Sequence, residues 1–219
     1  MEKLNTQNAV IIDTETTGLD DKSEIVEITV ISAASGDVLF HSLVRPSSWI
    51  PNEATAIHGI TNSKVSNAPR FVQVIEPLFH AIQDSEIITY NADFDSRLFI
   101  QSYERSDQLT TCEIRQCYFA LKFAMLKATC AMNWYAEFFG EWDESHGGYK
   151  WQSLSNACAQ QGVITSDLIP HSSADDCEMT RRLIDVVNLH IQSELDNELA
   201  FEAHQDAQTD AFLTRRSGR

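Results

Sequence analysis

Asp13-Thr14-Glu15 sets two carboxylates one residue apart, directly after the apolar run Ala9-Val10-Ile11-Ile12. On a strand, residues i and i+2 project from one face, so Asp13 and Glu15 point together and Thr14 points away. Two acids side by side repel unless a cation sits between them. Alone, the tripeptide also reads as a solvated loop. A second acidic group, Asn91-Ala92-Asp93-Phe94-Asp95, follows another apolar run and opens a helix. Asp95 then falls in a first helical turn, where an acid is also a favourable partner for the helix dipole. The third group begins at His171 and includes Asp176. Asp176, Thr180, Leu183, Ile184 and Val187 share one helical face, so an acid heads an otherwise apolar stripe. Charge at that place requires a partner or a metal. His171, just ahead of the helix, overhangs the same place, although a lone histidine after Pro170 is more often a surface residue.

These groups need a scaffold. Ala9 to Ile12 reads as a central strand buried on both faces. Ile25 to Ser32 and Val38 to Val44, parted by Ser35-Gly36-Asp37, read as a hairpin. Pro46 to Asn67 is turn-rich, with short helices expected around Glu53–His58 and Asn62–Ser66. Phe71, Val74, Ile75, Leu78 and Ile82 recur at helical spacing, with Pro77 an unexplained interior residue. Glu86 to Tyr90 is a strand and Phe94 to Tyr103 a helix. A short strand near Leu109–Thr111 leads into a helix through about Leu126. Trp151 to Gln161 reads as helix, stopped by Gly162, and a long helix follows His171 to about Ser193. Strands interleaved with helices give a mixed α/β sheet. Residues 1–193 form the domain, and 194–219 an acidic, polar extension expected to be partly disordered.

The chain has 219 residues, 43% of them hydrophobic, which suits one substantial core and not two ordinary domains. No run of ~18 apolar residues could span a membrane, and the N-terminus lacks a secretory pattern, so a cytoplasmic protein is expected. The five cysteines (Cys112, Cys117, Cys130, Cys158 and Cys177) have no zinc-ligand spacing and read as reduced thiols. The net charge of −16, from 32 acidic residues against 16 Lys and Arg, opposes broad binding along a nucleic-acid backbone. A carboxylate metal site accounts for part of the excess, and Glu194, Asp196, Glu198, Glu202, Asp206 and Asp210 account for more.

Together the three groups resemble the DEDDh (DnaQ-like, exonuclease X-like) 3′→5′ exonuclease family. Asp13-Thr14-Glu15-Thr16-Thr17-Gly18-Leu19 is similar to its first motif, Asn91 to Asp95 to its second, and His171 with Asp176 and Thr180 to its third. Ala54-Thr55-Ala56-Ile57-His58-Gly59-Ile60-Thr61 resembles the family segment beside the terminal nucleotide. The resemblance covers about residues 8–190. It implies an RNase H-like α/β fold, a mixed five-stranded sheet flanked by helices. It implies that Asp13, Glu15, Asp95 and Asp176 hold two Mg²⁺ or Mn²⁺ ions roughly 3.5–4 Å apart. Asp13 would bridge the ions, Glu15 and Asp176 complete the first, and Asp95 support the second directly or through water. His171 would be the general base, the side-chain type that most readily exchanges a proton near neutral pH. Thr16 and Thr17 would hold the terminal 3′-OH, and Leu19, His58 and Phe94 pack around the final bases, with ordinary core the competing role for Leu19 and Phe94. Tyr90 stands where many members have histidine and, with Asn91, would contact the terminal nucleotide.

Asp93 reads as a solvated neighbour of Asp95. Cys130 to Lys150 has no counterpart in the family core and is expected to be a small helical elaboration. Its aromatics are read as core, or, with Tyr149, Lys150 and Trp151 together, as a stacking edge for single strands. The implied partner is a single-stranded nucleic-acid 3′ end. DNA is mildly favoured over RNA, though nothing in the residues separates them. A homodimer, or docking to a polymerase as an accessory subunit, stays open.

Overall fold

The computed structural model describes residues 1–106, 110–145 and 147–217, with 206–217 as helix backbone only. Five strands form one sheet: β1 (Ala9–Thr16), β2 (Ile25–Ser32), β3 (Val38–Leu43), β4 (Glu86–Thr89) and β5 (Thr129–Cys130), in the order β3-β2-β1-β4-β5. β1 is antiparallel to β2 and parallel to β4, and β5 joins β4 in parallel, so the sheet is mixed as expected. The fifth strand is not where the sequence reading puts it. Leu109 lies outside the described residues, and Thr111 is the N-cap of a helix, its side chain accepting from the Ile114 N–H. The strand is instead a two-residue Thr129–Cys130 pairing, too short to show any alternation.

Alternation along β1 divides the core into two layers. Val10 and Ile12 face a layer with α3 (Phe71–Ile82), α4 (Ala92–Arg105) and α5 (Cys112–Met125). Ile11 faces the other, built on α6 (Ala131–Phe139), α7 (Leu154–Gln160) and α8 (Ser173–Ser217). Two short helices, α1 (Asn52–His58) and α2 (Asn62–Val65), complete a third cluster around Val26 and Ile50. Pro77 is tolerated inside α3 because it lies on the exposed side. The carbonyl it leaves unpaired belongs to Gln73, four residues back on that side, where water can satisfy it.

Two expectations are corrected. The stretch from Cys130 is not mainly an elaboration: α6 is a core helix, with Tyr135 fully buried and its hydroxyl donating to Gln160. The addition is a small hairpin, β6 (Trp142–Asp143) and β7 (Gly148–Tyr149), whose Trp142, Tyr149 and the following Trp151 are exposed. Secondly, α8 does not stop near Ser193 but runs to Ser217. Its core contacts end at Ile191, and Leu195, Leu199 and Phe201 are exposed. No glycine or proline interrupts residues 194–217, and Glu, Leu, Ala and Gln there favour helix.

Candidate active site

The acidic groups meet at the C-terminal end of β1. Asp13 and Glu15 project toward α8, the face of Ile11, and a register shift between Glu15 and Thr16 bends the strand end where it meets the open cleft. Asp176 comes from the first turn of α8. Ligand oxygens of Asp13, Glu15 and Asp176 all lie within 4.8 Å of one another. Asp95 stands outside that triad but near enough to be the foremost charge acting on Asp13. Thr14, pointing away from its two neighbours, donates from Oγ1 to Asp95 Oδ1 at 2.9 Å. The residue between the two acids thus ties the second motif to the first. The Thr89 hydroxyl is buried beside the same carboxyl, close enough to hold it down but without a hydrogen bond of full geometry. Asp93 is exposed and Asp95 buried, which separates the two as the sequence reading does.

The electrostatics follow from crowding. Burial first, then the charges of Asp95, Asp176, Glu15 and Glu27, push Asp13 well above the ordinary carboxylate range. Burial followed by Asp176, Glu27 and Asp95 pushes Glu15 up to about 8. Asp95 rises to about 7 through burial, with Thr14 opposing. Asp176 is also raised by burial, with the His171 backbone N–H opposing. Without a cation these groups cannot all ionise comfortably. Clustered carboxylate oxygens with no nitrogen or sulfur among them suit a hard divalent cation such as Mg²⁺ or Mn²⁺.

Asp13, Glu15 and Asp176 floor a cleft of about 810 Å³, Asp95 is not among its lining residues, and Thr16, Thr17, Leu19, His58, Phe94 and His171 line it as well. His171 is exposed and adopts φ 65°, a left-handed conformation unusual for a residue with a Cβ. Its N–H donates to Asp176 Oδ2 at 3.2 Å, which ties the strained turn to the triad. His58 is held at both nitrogens: Nδ1 accepts from the Ile60 N–H, so Nε2 carries the proton and donates to the Thr16 carbonyl. Burial lowers its pKa, favouring this neutral form, and the ring serves as a fixed wall. The Thr17 hydroxyl accepts from the Glu24 N–H, and that of Thr16 donates to the Gly18 carbonyl. Phe94 lies under the Arg97 guanidinium, 5.4 Å from ring centre to carbon. Arg97 in turn holds the Leu19 and Asp20 carbonyls.

Two expected contacts are not brought to the cleft. Tyr90 is buried in the α8-side core and donates its hydroxyl to the Gln152 carbonyl at 2.7 Å. Asn91 accepts from the Phe94 N–H and so caps α4. Both are absorbed by structure because the turn between β4 and α4 must satisfy its own polar groups. The sequence reading also misses cleft residues. Trp49 and Ile57, 76% and 60% exposed, line the mouth with Leu19, 78% exposed. An aromatic in the turn-rich Pro46–Asn67 segment was the available signal for Trp49.

The sequence model of the RNase_T exonuclease family matches residues 10–184. The chain belongs to this exonuclease family. The uncharacterised exonuclease CP81 of Escherichia phage 186 is 38% identical over 182 residues, covering 81% of this chain and 87% of that protein. DNA polymerase III subunit epsilon of Buchnera aphidicola subsp. Schizaphis graminum is 33% identical over 108 residues, 45% of this chain, which spans under half (46%) of that relative. Among solved structures, exonuclease X in complex with 5′ overhanging duplex DNA superposes with a TM-score of 0.57 at 26% identity, covering 83% of this chain and 92% of that one. The family member is therefore an exonuclease, a hydrolase, on the RNase H-like fold. Its clustered acids fit the divalent ions that such enzymes generally use. Among the described residues no helix is long and apolar enough to cross a membrane.

Proposed function

We propose that this exonuclease releases nucleoside 5′-monophosphates from the 3′ ends of single-stranded DNA. Asp13, Glu15, Asp95 and Asp176 would hold two Mg²⁺ or Mn²⁺ ions, and His171 would act as general base. The observation that carries the reading is the half-buried meeting of Asp13, Glu15 and Asp176 within 4.8 Å, beside a histidine on a strained turn. When bound, divalent ions acidify the attacking water and stabilise the departing 3′ oxygen. The remaining roles fall to the chain. Asp13 and Glu15 anchor the reacting end to the central strand of the sheet. The Asp176 carboxylate, held by the His171 N–H, keeps the base next to the acids. The His171 ring takes the proton from water, and its exposure lets the proton pass to solvent. Leu19, Trp49 and Ile57 offer an apolar mouth on which bases of any sequence can pack.

The DNA-bound state of exonuclease X supports DNA over RNA as substrate. The likeness to an epsilon subunit supports a second reading, in which the same site serves as an accessory subunit docked to a polymerase. One experiment separates these. Wild type and Asp13→Ala are incubated with 5′-labelled single-stranded DNA, or matched RNA, in Mg²⁺, Mn²⁺ or EDTA. The proposal expects a ladder that shortens from the 3′ end of DNA, needs the metal and disappears in the variant. Faster loss of the RNA overturns the substrate assignment. Folded wild type that cleaves neither polymer overturns autonomous activity and leaves the docked subunit.

A further inference from the structure

Glu27 is a fifth carboxylate at this site, and no motif assigns it a task. It faces Glu15 across the β1–β2 ladder and adds to the charge that raises both Glu15 and Asp13. A like charge in so crowded a place works against the fold unless it holds something.

What it holds is the start of α8. Ser173 is the first residue of that helix and is fully buried. Its N–H and its Oγ both donate to Glu27 Oε2, at 3.2 and 2.9 Å. Proton counting fixes the direction of the network behind it. Because the Ser173 hydroxyl gives its only proton to Glu27, the Thr29 hydroxyl, 2.7 Å away, donates to Ser173 Oγ. Thr29 then has only a lone pair for His41, so His41 donates from Nδ1 at 3.0 Å. The chain runs His41 to Thr29 to Ser173 to Glu27, crosses from β3 through β2 to α8, and ends on a carboxylate that accepts. A carboxylate receiving two donors at a helix N-terminus is among the stronger protein hydrogen-bond arrangements.

Position gives this anchor its consequence. His171 lies two residues before Ser173 and Asp176 three residues after it, so both third-motif groups pivot on the residue that Glu27 grips. We propose that Glu27 is a positioning residue that locks the first turn of α8, and through it Asp176 and His171, onto the strand carrying Asp13 and Glu15. The proposal rests on the catalytic reading of those four residues. It predicts an effect on turnover and not on substrate capture, because Glu27 lies behind the acids and does not line the cleft.

The test uses the full chain with Glu27→Ala, Glu27→Gln and Ser173→Ala. Hydrogen exchange of the amides around Ser173–Asp176 is measured in EDTA, and kcat and KM on a single-stranded oligonucleotide in Mn²⁺. Glu27→Ala is expected to speed exchange in the first turn of α8 at least tenfold. It should lower kcat at least tenfold, with KM within about twofold of wild type. Glu27→Gln keeps an acceptor for both donors, so exchange and kcat should return to within about threefold. Ser173→Ala, which keeps the N–H, should lie between. Should Glu27→Ala fail to fold, the other two variants decide. Wild-type exchange and kcat in Glu27→Ala, or in Ser173→Ala where that variant must stand in, overturn the proposal. So does Glu27→Gln exchanging as fast as the alanine variant. Asp13→Ala runs alongside: if it stays active the reading of the acid site fails, while the exchange data still judge Glu27.

Discussion

Removing one charge from an empty acid cluster should stabilise the protein, and by an amount that depends on pH. Glu15→Gln is the cleanest such change. Glu15 is buried, its carboxyl takes no hydrogen bond from the described residues, and an amide of equal size loses little packing. Below the ordinary 4.5, Glu15 is protonated whether the chain is folded or not, and the site imposes no penalty. As pH rises, the unfolded chain releases the proton while the folded chain keeps it until about 8. The folded state binds more protons across that window, so stability declines through it and levels off above. At about 1.4 kcal/mol per tenfold, the ceiling on the loss is roughly 5 kcal/mol. Asp13, Asp95 and Asp176 share the same repulsion, and effective screening near a cleft is substantial, so roughly 2–3 kcal/mol is the expected gain for the amide.

For a chain of this size that corresponds to about 4–12 °C in Tm. The assay is thermal unfolding of wild type and Glu15→Gln in EDTA between pH 4.5 and 8.5. The two curves should coincide at the acid end and diverge toward pH 8, with the variant higher. Saturating Mn²⁺ should then raise wild type by a few kcal/mol, as a ligand at ~100 times its Kd does, and the variant much less. A gain of equal size at both ends of the range would refute the reasoning, since it would reflect packing. A variant less stable than wild type at pH 8.5 in EDTA would refute it outright.

His171→Ala should lower kcat by about 10²–10⁴ and leave the Mn²⁺-induced rise in Tm in place, because the alanine retains the N–H that reaches Asp176; steady-state kinetics and melting check the two halves. Trp49→Ala should raise KM on single-stranded oligonucleotides at least fivefold, the low end of ~1–3 kcal/mol for base stacking, with kcat nearly unchanged in the same assay. Replacing Tyr149, Lys150 and Trp151 together by alanine should raise KM less than Trp49→Ala does. Lys150 is already paired with Glu141 at 2.9 Å and Tyr149 packs edge-on to Trp142, which leaves Trp151 free to stack. An unchanged KM in folded protein would show that the hairpin does not touch substrate.

What could be read from the sequence was what local rules govern. Phe71–Ile82 is helical from end to end as its spacing implies, β1 and β2 begin where their apolar runs begin, and β4 begins one residue before its own, at Glu86. Asp13 and Glu15 were legible because a strand must send i and i+2 to one face, and Asp176 because it heads a stripe that buries Thr180, Leu183, Ile184 and Val187. Thr14 points away from both acids as strand alternation implies, but what it points to, Asp95, is 81 residues distant and invisible to any local pattern. The errors share that cause. The family resemblance assigns Tyr90 to the terminal nucleotide because it stands where many members have histidine, whereas its hydroxyl is satisfied by Gln152, 62 residues on. Glu27 sat unnoticed in Ile25-Val26-Glu27-Ile28, where a polar residue reads as the outward face of an alternating strand. Its partner Ser173 lies 146 residues away.

The awkward net charge of −16 has a local logic. Within the cleft, Asp13, Glu15, Asp176, Asp20 and Glu53 face Lys22 as the only Lys or Arg lining it among the described residues, and Arg97 beside it is occupied with the carbonyls of Leu19 and Asp20. Few side-chain cations are therefore free to neutralise a phosphate backbone, and long-range steering of nucleic acid toward this surface is weak. On the proposed function, the positive charge that the reacting phosphate needs would come from ions held by the acids. On that reading, affinity for the strand would come mainly from apolar contacts at Leu19, Trp49 and Ile57, which line the cleft. Such a division suits an enzyme that grips a few terminal nucleotides and lets go. On the proposed function, the same carboxylates that destabilise the empty fold would make substrate binding conditional on metal, so that a metal-free molecule would both repel its substrate and lack its chemistry.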